Sequence, residues 1–327
     1  MRAMVLEKVG APLVLEEVPC PVPQDFEVLI KVKTCGVCRT DLHIVEGDLS
    51  SPKLPLILGH QVIGVIEKIG NKVSKRKVGE RVGVPWLGGS CNQCEFCLSA
   101  RENLCDHGMY TGYLCNGGYA EYCVAHEDFI LEIPKKYDDL YAAPLLCAGL
   151  IGFRALRLIG SFQTVGFYGF GSSAHLLIQV ANSLGKEVYV FTRPKDGKTQ
   201  EFAYFLGAKW AGGSDELPPV ALDAALIFAP VGDLYPQALK VIKKGGKVIS
   251  VGIHMSDIPS FPYSLLWEER SLSSVANLTR RDGLEFMKLL KTLDLHVKVT
   301  SFPLEQANEA LAAVKSGKYD GSIVLTV

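Results

Sequence analysis

The chain has 327 residues, of which 48% are hydrophobic and 21% charged, and its net charge is −1. That length exceeds one small core and sets two domains as the expectation. A near-neutral chain with its Lys and Arg spread out excludes a nucleic-acid or membrane-surface footprint, and no apolar run reaches the roughly 18 residues of a membrane span.

The N-terminal stretch MRAMVLEKVG alternates apolar and polar residues, reads as a strand, and lacks the long apolar region of a signal peptide. A cytoplasmic location is therefore the default. In that compartment thiols stay reduced, so the ten cysteines point to metal binding before disulfides. Over the first 140 or so residues, short alternating runs broken by Gly and Pro predict antiparallel strands: FEVLIKVKTCG, VIGVIEKIG, GERVGVPW. Among them lies CGVCRTDLH, residues 35–43, which on its own is a redox pair, half of a zinc site or a polar turn. Next comes LPLILGHQVIG, which sets His60 after a glycine at the start of an apolar strand.

In CNQCEFCLSARENLC, Cys91, Cys94, Cys97 and Cys105 are separated by two, two and seven residues. Tight C-x2-C steps let successive thiolates face one point and the fourth close a tetrahedron, the pattern of a structural zinc site. An iron–sulfur cluster is the rival, since C-x2-C-x2-C also begins a ferredoxin-type run; free thiols in a loop are the third reading.

From about Leu145 the texture changes. AAPLLCAGLIGFRAL places Cys147 at the junction. A catalytic zinc needs three protein ligands and an open position, and Cys38, His60 and Cys147 would make such a Cys2His set. Singly each is weak, since a lone His or buried Cys is more often packing. TVGFYGFG is a buried strand ending in glycines, and SSAHLLIQVANSLG has helical spacing. Gly169, Gly171 and Ala174 form G-x-G-x-x-A, with Ser172 opening the helix. The first glycine turns the chain, the second admits a pyrophosphate, the small third residue lets helix and strand pack, and the phosphates would meet the helix N-terminus. A generic strand-to-helix turn is the alternative.

The second strand, EVYVFTR, ends without the carboxylate that accepts from an NAD ribose. Thr192 and Arg193 stand there instead, with Lys195 nearby, and a hydroxyl and a guanidinium suit the 2′-phosphate of NADP. NADP is thus expected over NAD; the alternative has Arg193 solvated and Asp196 serving the ribose. KTQEFAYFLGA is a second helix, and DAALIFAP, PQALKVIKKGG and KVISVGI repeat strand, helix, strand. The fold class is therefore α/β, a β-rich first domain and a doubly wound parallel sheet with helices on both faces. GLEFMKLLKTL, SFPLEQANEALAAVKSG and the strand SIVLTV form a C-terminal piece that returns to the first domain.

In order and spacing, CGVCRTDLH, PLILGHQVIGVIEKIG, CNQCEFCLSARENLC, GGYAEY, LLCAG and YGFGSSAH resemble the zinc-dependent medium-chain alcohol dehydrogenases over essentially the whole chain. The resemblance implies a GroES-like catalytic domain (1–144 and 288–327), a Rossmann cofactor domain (145–287), and zinc in the cleft between them. It makes Cys38 the first catalytic-zinc ligand and leaves Cys35 as packing. It gives Arg39 and Arg280 to the cofactor pyrophosphate, although Arg280 reads equally as a surface arginine. Thr40 would take the alcohol's proton, Asp41 would orient a zinc ligand, and His43 would end the proton relay. Trp86 resembles a substrate-pocket wall, or else packs in the core. The TRP at residues 192–194 resembles the SRP of NADP-dependent relatives. One departure is Gln61, where most relatives carry a Glu near the zinc.

The implied reaction is reversible hydride transfer between an alcohol and a nicotinamide, with two zinc ions per subunit, one catalytic and one structural. The partner is a small alcohol or aldehyde, primary aliphatic or aromatic in preference to a polyol; nucleic acid and membrane are not expected. Family members are dimers or tetramers, with SLSSVANL as the expected edge. The competing readings are a related enoyl or quinone reductase, whose members usually lack the zinc ligands, and a non-catalytic zinc- and nucleotide-binding protein.

Overall fold

The structure is a computed structural model that describes residues 1–317, 319 and 321–327. It consists of two compact units: Met1–Leu150 with Asn277–Thr292 and Val297–Val327, and Ile151–Ala276 with Leu293–His296.

The first unit begins with strands β1 (Arg2–Leu6), β2 (Val14–Glu17) and β3 (Glu27–Val37), then helix α1 (Arg39–Glu46). Next come β4 (Leu56–Ile57), β5 (Val62–Ile69), β6 (Arg81–Val84) and β7 (Leu87–Gly89). The short helix α2 (Glu95–Leu98) precedes β8 (Met109–Tyr110), β9 (Tyr122–His126), β10 (Leu131–Glu132) and α3 (Asp139–Ala142). Its main sheet runs β10–β6–β5–β3 and continues through two strands from the C-terminal end of the chain. β3 organises it. This strand is 11 residues long and serves three partners along its length: β5 pairs from Val28 to Cys35, β9 along Glu27–Lys31, and the chain's closing strand along Thr34–Val37. Its alternating burial, with Val28, Ile30 and Val32 inside and Lys31 and Lys33 outside, follows the period of two expected for a sheet with one wet face. Gly64 on β5 is required by this pairing, because a Cβ there would stand 2.4 Å from the Lys31 carbonyl oxygen.

Helix α4 (Ala148–Ile159) carries the chain into the second unit. There β11 (Thr164–Tyr168), α5 (Ser172–Ser183), β12 (Glu187–Thr192), α6 (Gly197–Phe205) and β13 (Trp210–Gly213) are followed by β14 (Leu222–Ile227), α7 (Leu234–Val241), β15 (Ile242–Ser250) and β16 (Ser271–Ser274). All these strands pair in parallel, in the order β13–β12–β11–β14–β15–β16. That is the 3-2-1-4-5-6 order of a Rossmann sheet, with the order reversing at β11. Every residue of β11 is buried, as a strand covered on both faces must be. Around it Tyr168 stacks on Phe191 at 4.1 Å and packs with Ile227, Tyr235, Leu239 and Val248.

The chain then returns. Helix α8 (Arg280–Leu290), strand β17 (Val299–Pro303), helix α9 (Ala307–Ser316) and strand β18 (Ser322–Thr326) complete the first unit. β18 pairs antiparallel with β3, Ile323 opposite Val37, and parallel with β17. α8 starts on a capping box: Thr279 accepts from the Asp282 N–H while Asp282 accepts from the Thr279 N–H at 2.9 Å. Among the described residues no single helix is long and apolar enough to cross a membrane.

Candidate metal and cofactor sites

The four cysteines of residues 91–105 converge on one point. Their sulfurs all lie within 4.8 Å of one another, with Cys94–Cys97 and Cys91–Cys105 at 3.5 Å and Cys91–Cys97 at 3.9 Å. A tetrahedron of thiolates with metal–sulfur bonds of about 2.3 Å has edges of about 3.8 Å, so the cage fits a single ion. A polynuclear cluster interposes several iron and sulfide atoms and needs a wider cage. Left-handed turns at Asn92 (φ 57°) and Ala100 (φ 55°) fold the loop around the point. Backbone N–H groups face the sulfurs, from Cys94 to Cys91 and from Cys91 to Cys105, each at 3.4 Å. Donors from Gln93 and Cys94 bring the Cys91 thiol down to about 6, a thiolate ready for a cation.

Between the third and fourth cysteines, Glu102 is buried and accepts from the Arg280 backbone N–H at 2.9 Å and its Nε at 3.1 Å. The Arg280 guanidinium also lies over the Phe129 ring at 5.1 Å. Arg280, read from the sequence as a phosphate contact or a surface arginine, thus ties α8 to the cysteine loop.

Cys38, His60 and Cys147 come from three separate segments of the same unit, with their ligand atoms within 4.8 Å of one another. Cys38 is the N-cap of α1, held because its N–H donates to Asp41 Oδ2 at 2.9 Å. His60 follows Gly59, which takes φ +98° and turns the imidazole inward to zero exposure. Cys147 sits where the turn Ala143–Leu146 passes into α4. His60 Nε2 stands 3.2 Å from Cys38 Sγ, and its Nδ1 stands 3.3 Å from Asp41 Oδ1. Hydrogen bonding from the Cys147 thiol and the neighbouring imidazole holds Cys38 well below the usual thiol range. Beside that thiolate, and buried, Cys147 is pushed well up. Burial works against charge on His60, but Asp41 and Cys38 outweigh it and raise the imidazole well above its ordinary value. Two sulfurs and one imidazole nitrogen, buried and with anionic character, suit a zinc ion.

Around this triad lie the other sequence-predicted residues of the first unit. Thr40 occupies the first turn of α1, its N–H donating to Cys38 Sγ at 3.4 Å. His43, further along α1, is buried and pairs through Nδ1 with Asp48 Oδ2 at 2.7 Å. Trp86 is buried, lies T-shaped to the His60 ring at 5.0 Å, and stacks with Tyr110 and Tyr113. Arg39 is exposed, with Nη2 3.5 Å from the Val314 carbonyl. Gln61 is 2% exposed and lies over Gly36, where a Cβ would meet its side chain at 2.8 Å. Cys35 is wholly buried against Gly59, and burial raises its thiol well above the ordinary range. That makes it inert packing rather than half of a redox pair.

In the second unit, β11 is followed at once by Gly169 (φ +92°), where a Cβ would meet the Ala229 N at 3.0 Å. At Gly171, the N-cap of α5, a Cβ would meet nothing within 4 Å. This glycine leaves open space before the first-turn N–H groups and brings no side chain to cap them; Ser172 is the first helical residue. Ala174 is fully buried. The arrangement can receive an anionic group at a helix N-terminus.

Thr192 differs from its expected role. Its hydroxyl is buried, within donating distance of the Arg193 carbonyl (2.9 Å) and the Gly212 carbonyl (3.2 Å), and accepts from Gln200 Nε2 at 3.0 Å. Strand alternation turns it inward, so it holds the end of β12 instead of facing a phosphate. Arg193 and Lys195 are exposed. Asp196 is committed to capping α6, accepting from the Thr199 N–H at 3.2 Å.

Sequence reasoning missed Asp48, Glu102 and Tyr119, a buried tyrosine packed on Gly59. Asp48 had a local signal, an acid just past the left-handed Gly47 that ends α1, while Glu102 and Tyr119 lie inside quoted motifs whose spacing gave them no role.

Residues 24–135 match the family described as alcohol dehydrogenase GroES-like domain, and residues 194–325 match zinc-binding dehydrogenase. The chain is similar to a probable alcohol dehydrogenase AdhA of Mycobacterium tuberculosis, 41% identical over 96% of this chain and 92% of that protein. It is also similar to an alcohol dehydrogenase of Geobacillus stearothermophilus, 36% identical over 99% of this chain and 98% of the other. Among solved structures, a cinnamyl alcohol dehydrogenase of Sorghum bicolor shares the fold, with a TM-score of 0.91 at 24% identity over 99% of this chain and 97% of that one.

Proposed function

Since the chain belongs to the zinc-dependent medium-chain alcohol dehydrogenases, we propose the following use of its sites. The protein is an NAD(P)-dependent alcohol dehydrogenase acting on small alcohols and aldehydes. Cys38, His60 and Cys147 hold a catalytic zinc, and Cys91, Cys94, Cys97 and Cys105 hold a structural one. The convergence of Cys38, His60 and Cys147 carries the reading, because a buried Cys2His set leaves one position open for an oxygen ligand. When bound, zinc supplies Lewis-acid polarisation of the substrate oxygen, and the nicotinamide supplies or accepts the hydride.

The chain's own groups do the rest. Thr40, beside Cys38, exchanges a proton with the substrate oxygen through its hydroxyl. His43, buried and held by Asp48 at 2.7 Å, passes the proton outward in a fixed ring orientation. Trp86 presents an apolar aromatic wall against His60, which suits an aliphatic or aromatic chain better than a polyol. Gly169, Gly171, Ser172 and Ala174 take the pyrophosphate at the α5 N-terminus. Arg39 and Arg280 are carried as phosphate contacts by resemblance alone, and the Glu102 ion pair weighs against Arg280.

NADP is preferred over NAD, on two supports. Arg193 stands exposed just beyond β12, and Asp196, the acid expected to serve a ribose otherwise, is engaged in capping α6. The test is turnover of a panel of aliphatic and aromatic aldehydes with NADPH and with NADH, by the wild type and Arg193→Ala. Losing one charge-assisted contact, worth about 1.5–3 kcal/mol, should raise the KM for NADPH by roughly 10–100-fold and leave that for NADH nearly unchanged. A wild-type preference for NADH overturns the cofactor assignment alone. No turnover with either coenzyme in zinc-replete protein returns the weight to a non-catalytic binding protein.

A further inference from the structure

Behind the Cys38–His60–Cys147 set, three polar atoms are buried without a hydrogen-bond partner among the described residues: Asp41 Oδ1, His60 Nδ1 and the Tyr119 hydroxyl. They belong to one neighbourhood. Asp41 Oδ1 and His60 Nδ1 are 3.3 Å apart, which is ion-pair range without hydrogen-bond alignment. Tyr119 is fully buried, and its ring fills the space over Gly59, the residue before His60. A Cβ at Gly59 would stand 2.4 Å from Tyr119 Cδ1. Its backbone is fixed at the same place, the N–H donating to the Leu58 carbonyl at 2.9 Å and the carbonyl accepting from the Met4 N–H at 2.9 Å. A tyrosine hydroxyl buried without a partner is costly, and a phenylalanine would fill the same space without that cost.

We propose that Tyr119 is a positioning residue for the metal site: its hydroxyl donates to the Asp41 carboxylate, which in turn holds His60 by Nδ1–H and presents Nε2 to the zinc. The chemistry of the three groups allows only this direction. His60 must be deprotonated at Nε2 to ligate, so its proton sits on Nδ1 and points to Asp41 Oδ1. Asp41 Oδ2 is already occupied by the Cys38 N–H at 2.9 Å. Asp41 therefore braces two of the three proposed ligands at once, and among the described residues the Tyr119 hydroxyl is a buried donor of this neighbourhood that lacks a partner. The carboxylate's influence reaches that hydroxyl: after burial, Asp41 is the strongest cause raising the tyrosine above its ordinary range. The inference rests on the zinc assignment made above.

Tyr119→Phe, which keeps the packing, is the test, with His60→Ala as the reference for loss of the site. Zinc per subunit and its rate of release to a chelator would be measured by a colorimetric indicator, and the visible spectrum recorded after cobalt substitution. Removing an outer partner of a ligand typically costs about 10–100-fold in metal affinity, and Tyr119 stands one step further out, so the low end of that range applies. The expected result is therefore catalytic-site zinc released about tenfold faster from Tyr119→Phe, with a shifted cobalt band and an unchanged cysteine-loop zinc. Wild-type release and spectrum in Tyr119→Phe, together with an unchanged or raised melting temperature, would overturn the proposal, since the hydroxyl would then be an unpaired buried group. If His60→Ala retains as much zinc as the wild type, the zinc assignment itself fails, which is a separate result.

Discussion

At the scale of single residues, the site is a set of short couplings that fix side chains before any ligand arrives. Cys38, the proposed ligand, is also a helix cap, so the backbone geometry of α1 orients its sulfur. His60 is turned inward by a glycine at φ +98°. His43 owes its orientation to Asp48, five residues on. The hydroxyl of Thr40 is the one group proposed to exchange a proton with substrate, which makes it the residue to test. Thr40→Val should lower kcat by roughly 100-fold, the lower range of a general acid–base contribution, while Thr40→Ser keeps most of it. Steady-state kinetics with zinc content measured alongside would separate this from metal loss. Equal kcat for Val and Ser variants would remove Thr40 from the proton path.

At the scale of elements, the cofactor unit depends on how its strands begin as well as on where they end. Asp223 on β14 accepts from the N–H groups of Gln163 and Thr164, at 2.7 and 2.8 Å, and from Lys243 Nζ at 2.6 Å. Partial burial opposes its charge, but Lys243 and the two N–H donors prevail and bring the carboxyl down to about 2 from 3.8. A depressed carboxyl stabilises the fold fully above its unfolded value and loses that contribution as pH falls through its folded value. Lys243 is half exposed, so solvent screens part of this pairing and the contribution is about 1 kcal/mol. Asp223→Asn should thus unfold more easily by about that amount at pH 7, and the gap should close between pH 4 and pH 2. Denaturant titrations at several pH values would show it; a gap that persists at pH 2 would mean the loss is steric.

At the scale of the whole molecule, β16 is an unpaired edge of a six-stranded sheet, and most of its residues are exposed. Just before it in the chain, Tyr263 and Trp267 are 68% and 59% exposed and lie against each other. An open edge beside exposed aromatics invites pairing with another copy, which agrees with the expectation that SLSSVANL is an assembly edge. Light scattering should find a dimer or tetramer, and Trp267→Glu should shift it toward the single chain. A wild type that is already a single chain would end the idea.

Much of this was legible in the sequence because the signals are local. Four cysteines at short spacing are able to face one point, and G-x-G-x-x-A between strand and helix is a backbone pattern read off three residues. Strand, helix and strand alternation after residue 160 likewise comes from periodicity, which neighbours along the chain decide. Cys38, His60 and Cys147 could be named as a ligand set from residue type, but nothing in their spacing brings them together, and the resemblance supplied the weight. What only the tertiary structure decided concerns where polar atoms find partners across the chain. It turned the Thr192 hydroxyl inward, gave Arg280 to Glu102 across 178 residues, and set Tyr119 behind His60. Hydrogen bonds and ion pairs reach only about 3 Å, so a residue type with the right chemistry says what it is able to do, and the fold alone decides which partner stands within that distance.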